Sequence, residues 1–227
     1  LLAIGVDFGR RDIAVTSNSD RWDGKQINDV RDKFSRVRSS LQKKATKGTR
    51  STRRRARNIL KRLSGKERRF QQWLNYNISK SIIQDALKNN AAVAIEDLTS
   101  IRERTNQKPR SKTERRRSNS WSFYQLRSFL EYKGVQFGVE IIAVPPAWTS
   151  LTCHQCLHIG LRSDRRFKCT NEACSWSGDA DFNGAKNIAT IGAVFVTQPG
   201  GSNCLCCNLS TDSSGLLKSL RSPLAGA

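Results

Sequence analysis

The stretch CSWSGDADFNGAKNIA, residues 174–189, sets two carboxylates, Asp179 and Asp181, between a cysteine and the opening of a helix. Asp181 stands two residues before Asn183, where the helix is entered. Asp179 follows Cys174 by five residues and belongs with the exit of the cysteine loop. In α/β folds, functional groups collect at strand ends and helix N-termini. An acid at the mouth of the last helix therefore directs attention to the ends of the strands upstream.

Two strand ends carry acids. LLAIGVDFGRRDIAVTS (1–17) reads as two short strands around a turn at Gly9, with Asp7 closing the first apolar run. AAVAIEDL (91–98) reads as a buried strand that ends on Glu96. Between them, QINDV (26–30) admits a third strand. Ile59, Leu63, Phe70, Trp73, Leu74, Ile78, Ile82 and Leu87 then recur at helical spacing. Ser64-Gly65-Lys66-Glu67 interrupts that stripe as an S-x-x-E capping box, so two helices are expected, over 36–63 and 65–89. WSFYQLRSFLEYKG (121–134) predicts a helix with Phe123, Leu126, Phe129 and Leu130 on one face and Gly134 at its end. VEIIAV (139–144) is a strand stopped by Pro145-Pro146. The order is α/β, with an antiparallel start and parallel later strands. It matches a ribonuclease H-like mixed sheet with flanking helices, in which the first strand neighbours the fourth and the last helix crosses both. Asp7, Glu96 and Asp181 would then meet.

Crowded carboxylates repel one another and are costly to hold ionised. A divalent cation relieves that repulsion, and an all-oxygen set suits Mg²⁺ or Mn²⁺. Two such ions can activate a water and stabilise the leaving oxygen of a phosphodiester. Singly, Asp7 before its Gly-containing turn could be a turn residue and Glu96 a surface acid. Their joint occurrence with Asp181, at these element positions, favours the metal reading.

Cys153, Cys156, Cys169 and Cys174 form C-x2-C-x12-C-x4-C, two pairs flanking a hairpin-sized loop. That is the form of a four-cysteine ribbon closed around one structural Zn²⁺. His154 and His158 are read as bystanders. Seven cysteines, four of them so paired, favour a metal site in a reducing, cytoplasmic setting over a disulfide framework. Cys204, Cys206 and Cys207 have poor metal spacing and receive no role.

The formal charge is +21, with 40 Lys and Arg against 19 acids in 227 residues. Such an excess implies a polyanionic partner, with nucleic acid first. A membrane is disfavoured because no stretch approaches the roughly 20 apolar residues of a span. From Lys33 to Arg69 there are 16 basic residues and one acid, Glu67. Arg50, Arg53, Arg54, Arg55, Arg57, Lys61, Arg62, Arg68 and Arg69 are the candidate phosphate contacts. A second basic run covers Arg102 to Arg117. The opening LLAIGVDFG resembles the interior of a strand, so the chain is expected to begin in mid-protein.

Taken together, GVDFG, IEDL, YKG, VPPAWTSLTCHQC and DADFNGAKNIA resemble the TnpB family, the OrfB-type transposon-encoded nucleases related to type V CRISPR effectors. The resemblance covers about residues 3–192. It implies a RuvC-like endonuclease with an Asp, Glu, Asp triad at Asp7, Glu96 and Asp181. It also implies a DNA substrate, a guide RNA carried on the basic helices, and Mg²⁺-dependent cleavage. Asp181 is the aspartate chosen because it occupies the D of the family's D-x-N signature. The implied organisation is a nuclease core over 1–148 with a basic helical insertion over about 33–89. A zinc ribbon over 149–178, a last motif and helix over 179–193, and a disordered tail over 194–227 complete it. One departure is Leu157, which stands where the family usually has Gly after the second cysteine.

Two other classes compete. A zinc-containing nucleic-acid-binding module without catalysis would keep the charge and the ribbon but not metal-dependent turnover. A cut-and-paste transposase usually ends its triad in Glu, unlike the Asp, Glu, Asp order here.

Overall fold

The computed structural model describes residues 2–9, 11–98 and 123–197. The basic run over 102–117, Cys204, Cys206, Cys207 and the stretch from 198 onward lie outside them. Eight strands are described: β1 (Ala3–Asp7), β2 (Asp12–Thr16), β3 (Arg21–Asp23), β4 (Ala92–Glu96), β5 (Ile141–Val144), β6 (Gly160–Ser163), β7 (Arg166–Cys169) and β8 (Ser177–Asp179). The helices are α1 (Lys25–Lys47), α2 (Arg50–Leu63), α3 (Lys66–Asn89), α4 (Phe123–Phe137) and α5 (Ala180–Thr197).

A five-stranded mixed sheet runs β3-β2-β1-β4-β5, and β6-β7-β8 form a separate three-stranded sheet. β1 pairs antiparallel with β2 and parallel with β4, which pairs parallel with β5. The period-two alternation of a strand sorts the side chains of β1 and β4. Ile4, Val6, Val93 and Ile95 join Ile78, Ile82, Leu126 and Leu130 in a core under α3 and α4. Ala3, Ala92 and Ala94 face the other way, with Ile188 of α5. Asp7 and Glu96 continue the small-residue set Ala3-Gly5 and Ala92-Ala94, and so point toward α5.

Small residues let α5 approach the sheet at backbone distance. A Cβ on Gly5 would lie 2.0 Å from the Ala185 carbonyl oxygen, and one on Gly192 would lie 2.4 Å from Ala94 Cβ. Neither position tolerates a side chain without moving the helix.

Several expectations are corrected. Residues 26–30 belong to α1, and the third strand is Arg21–Asp23. Ile27, Val30 and Phe34 sit at spacings of three and four, a helical stripe. The basic segment forms three helices, because Gly48 ends α1 and Thr49 caps α2 by accepting the Thr52 N–H at 3.3 Å. No capping box forms at Ser64. Gly65 enters α3 in the left-handed region at φ 82°, and Glu67 pairs instead with Arg38 at 3.1 Å. Gly134 lies inside α4, where a Cβ would press on Ile141 Cγ1 at 2.6 Å; Gly138, at φ 70°, follows the helix end. α5 starts at Ala180, before Asn183, and runs on to Thr197, so residues 194–197 are helical and not part of a disordered tail.

Candidate functional site

The register of the parallel pair builds the site. Val6 lies opposite Ile95, so the next residues along the two strands are Asp7 and Glu96. Asp181 comes from the first turn of α5, which packs across β1 and β4. Gly184, one turn further, leaves room for the Asp7 carboxylate: a Cβ there would sit 3.0 Å from Oδ2. Asp7 is held well above the ordinary carboxyl range, first by burial and then by the charges of Glu96 and Asp181. Glu96 is also raised by burial, partly offset by the Thr149 hydroxyl and the nearby Arg162. In both groups burial disfavours the ionised form, and at Asp7 neighbouring acids add to it.

Residues not anticipated from sequence complete the surroundings. Thr149 Oγ1 donates to Glu96 Oε1 at 2.5 Å. Asn187 of α5 donates to the carbonyls of Thr149 (2.8 Å) and Thr152 (2.6 Å), and Asn183 donates to Thr152 at 2.6 Å. Asn183 Oδ1 accepts the His154 N–H at 3.0 Å. Both asparagines are buried, so the i, i+4 pair of the DFNGAKN stretch ties the loop before the small sheet to α5. Two asparagines one helical turn apart were the available sign. Arg162 of β6 pairs with Asp181 at 2.7 Å. It is 19 residues from its partner, and no local pattern marks it.

Asp179 closes β8, at the exit of the cysteine-bearing sheet, and serves the helix that follows. It accepts the N–H groups of Asp181 (3.0 Å) and Phe182 (2.9 Å), capping α5. Its second oxygen meets Arg21 of β3 at 2.8 Å. Burial works against its ionised form, but the Phe182 N–H and Arg21 outweigh it, and Asp179 stays below the usual carboxyl range. Arg21 also contacts buried Asp12, which Arg165 reaches at 2.9 Å from the β6–β7 turn. The cap is thus fastened to both sheets.

Cys153, Cys156, Cys169 and Cys174 converge, with their sulfurs all within 4.8 Å of one another. Cys156 and Cys169 Sγ are 3.4 Å apart, and Cys153 and Cys174 Sγ 3.9 Å. Tetrahedral bonds of about 2.3 Å to sulfur require S···S spacings of about 3.8 Å, so the donor set fits a metal ion. Burial pushes the Cys169 thiol up to about 12. For Cys156 burial is outweighed by the His158 N–H and the neighbouring sulfurs, which bring it to about 7. Leu157, where Gly was the expected residue, has φ 62°, in the left-handed region. His154 and His158 contact Asn183 and Asn171 respectively and lie outside the sulfur cluster. Among the described residues the four cysteines are the only such converging group; Asp7, Glu96 and Asp181 do not form one. Their donor set is all oxygen, the kind that suits a hard divalent cation.

Arg50, Arg53, Arg54, Arg55, Arg57, Lys61 and Arg62 lie on α2, and Arg68 and Arg69 on α3; all nine are solvent-exposed. No helix among the described residues is long and apolar enough to cross a membrane.

A family model described as "Cas12f1-like, TNB domain" matches residues 123–188, from α4 through the cysteine sheet into α5. TnpB-like protein MJ0751 of Methanocaldococcus jannaschii is 34% identical over 80% of this chain and 61% of its own length. The CRISPR-associated endodeoxyribonuclease Cas12f1 of Sulfoacidibacillus thermotolerans is 31% identical over 57% of this chain and 29% of its own. The chain thus spans less than two thirds of the length of these relatives. Among solved structures, a Cas12f1 chain in complex with single-guide RNA and target DNA superposes with a TM-score of 0.62. It is 24% identical and covers 82% of this chain and 49% of that one, a likeness of fold.

Proposed function

We propose that this chain, which belongs to the TnpB-type family, is the DNA-cutting part of an RNA-guided endonuclease, with a ribonuclease H-like, RuvC-type core. The observation that carries the reading is the β1–β4 register, which sets Asp7 beside Glu96 under the first turn of α5. Asp7, Glu96 and Asp181 would hold two Mg²⁺ or Mn²⁺ ions. Bound there, such ions would activate a water and stabilise the leaving oxygen of the phosphodiester. Asp7, raised by burial and by the charges of Glu96 and Asp181, and Glu96, raised by burial, give up protons more readily once a cation shares the site. Thr149 orients Glu96, and Asn187 holds Thr149. Arg162 is positioned to neutralise negative charge beside Asp181. The four cysteines would hold one structural Zn²⁺ and so keep β6 and its Arg162 in place. The exposed arginines of α2 and α3 would bind guide RNA and its duplex with DNA through phosphates.

The test is direct. The purified chain is incubated with single-stranded DNA and Mg²⁺. Cleavage that is lost in Asp7→Ala supports the reading; no cleavage, or cleavage that survives the substitution, overturns it for this chain. A second reading, a zinc-containing nucleic-acid-binding module without catalysis, is favoured by the Arg162–Asp181 pair and by the lack of a converged acid group among the described residues. It expects salt-dependent binding without metal-dependent turnover. Turnover that Glu96→Ala abolishes would sink it.

A further inference from the structure

Apart from the acids, α3 carries two large exposed rings. Trp73 is 58% exposed and Tyr76 48%. They are three residues apart, about 4.5 Å of helix rise. Both rings are held from behind. Trp73 stacks on Phe70, with centroids 6.1 Å apart and planes 29° from parallel. Tyr76 has the Lys133 Nζ 3.6 Å from its ring centre and the Phe129 ring edge-on at 6.0 Å. Lys133 is itself fixed, donating to the Tyr76 carbonyl at 2.5 Å and to Ser79 Oγ at 2.7 Å. The two surfaces are therefore pre-positioned, which lowers the entropy lost when something stacks on them.

Charge selects the occupant. Residues 25–89 contain 20 Lys and Arg against four acids. Arg68, Arg69 and Lys80 are exposed on the same helix as the rings. Lys80 is near enough to Lys133 to add to the burial that lowers its pKa to about 8. A ring that already bears an ammonium on one face is poorly suited to a second cation and well suited to a neutral π system. A polyanion that also offers flat aromatic groups satisfies both requirements, and a nucleic acid strand is such a molecule. Its bases must be unpaired, because bases inside a duplex already stack on their neighbours.

Position selects the strand. α3 runs back along β4 through a connection at Asn90 and Ala91, so its N-terminal half lies toward the Glu96 end of the sheet. Phe70 and Leu74 pack there on the same core as Phe8, Leu98 and Phe123.

We propose that Trp73 and Tyr76 are a stacking platform for unpaired bases of single-stranded DNA, with Lys80 attracting its phosphates. The choice of DNA over RNA rests on the nuclease reading above; the stacking itself does not.

The experiment is run on the full chain in EDTA, so that it is independent of cleavage and a failed nuclease reading leaves it interpretable. Fluorescence anisotropy compares a labelled oligothymidylate with an abasic strand of equal length. The unaltered chain binds the base-bearing strand more tightly. Trp73→Ala/Tyr76→Ala weakens that binding about tenfold or more, leaves the abasic strand and the salt slope unchanged, and so erases the preference. Trp73→Phe/Tyr76→Phe retains it, which separates stacking from loss of fold. An equal loss on both strands, no loss on either, or a loss confined to an RNA strand of the same sequence overturns the proposal.

Discussion

Gly184 of α5 lies against the Asp7 carboxylate of β1, so closely that a Cβ at 184 would be 3.0 Å from Asp7 Oδ2. The last helix and the first strand meet at a point where one needs no side chain and the other presents a charge. Gly184→Ala should therefore fold, because only the carboxylate has to shift, and should raise the Mg²⁺ concentration needed for half-maximal cleavage. Gly5→Ala should not be accommodated, since its Cβ would meet backbone at 2.0 Å; a loss of about 3 kcal/mol or more is expected. Thermal melts and a Mg²⁺ titration of both variants check the contrast.

The two aspartates that border α5 should differ. Asp181→Ala is expected to abolish metal-dependent cleavage, since it removes one of the proposed ligands. Asp179→Ala removes a helix cap and an Arg21 ion pair, and should lower stability by about 1 kcal/mol while leaving reduced activity. Cleavage rates and melting curves side by side read this out; equal loss of cleavage would contradict it.

Leu157 offers a gain. At φ 62° a branched side chain is strained by about 1 kcal/mol, and glycine is not. With zinc held as proposed, Leu157→Gly should slow its loss to a chelator and raise the melting temperature. Cys156→Ser should do the reverse. A chromogenic zinc indicator follows both.

Thr149→Val removes the hydroxyl that holds Glu96 down while preserving its shape. Glu96 should then titrate higher, and the acid limb of the cleavage–pH profile should move to higher pH. Asn187→Ala should take from the buried Thr149 carbonyl its side-chain donor, while Thr152 keeps Asn183, and destabilise by roughly 1–3 kcal/mol.

Lys133 gives a stability signature. Burial, then the charge of Lys80, lowers its pKa to about 8 from 10.5. Between those values the unfolded chain binds more protons than the folded one, so stability rises with pH across the window. Below it Lys133 is charged in both states and its burial penalty is fully present. The rise is at most about 1.4 kcal/mol per pH unit. Lys133→Met should remove it, as chemical denaturation of both chains at pH 7.5, 9 and about 10.5 would read.

Much of the fold is legible locally. The alternation in AIGVD and AVAIE places Asp7 and Glu96 on one face, and the cysteine spacing anticipates the sulfur cluster. The α1–α2 break is hidden although Gly48 and Thr49 announce it, because the uniform basic run masks the punctuation. The capping box fails for a different reason. Glu67 finds Arg38, 29 residues away, rather than its own helix end.

Short-range pattern was enough for the acids at the ends of two strands, the four metal-ready thiols and the charge, because strand and helix periods act over a few residues. The groups that surround the acids came from the folded arrangement alone. Thr149 reaches Glu96 across 53 residues, and Arg165 reaches Asp12 across 153. Such pairs depend on how α5 and the small sheet seat against β1 and β4. That seating is set by the summed packing of many side chains, and no short pattern encodes it.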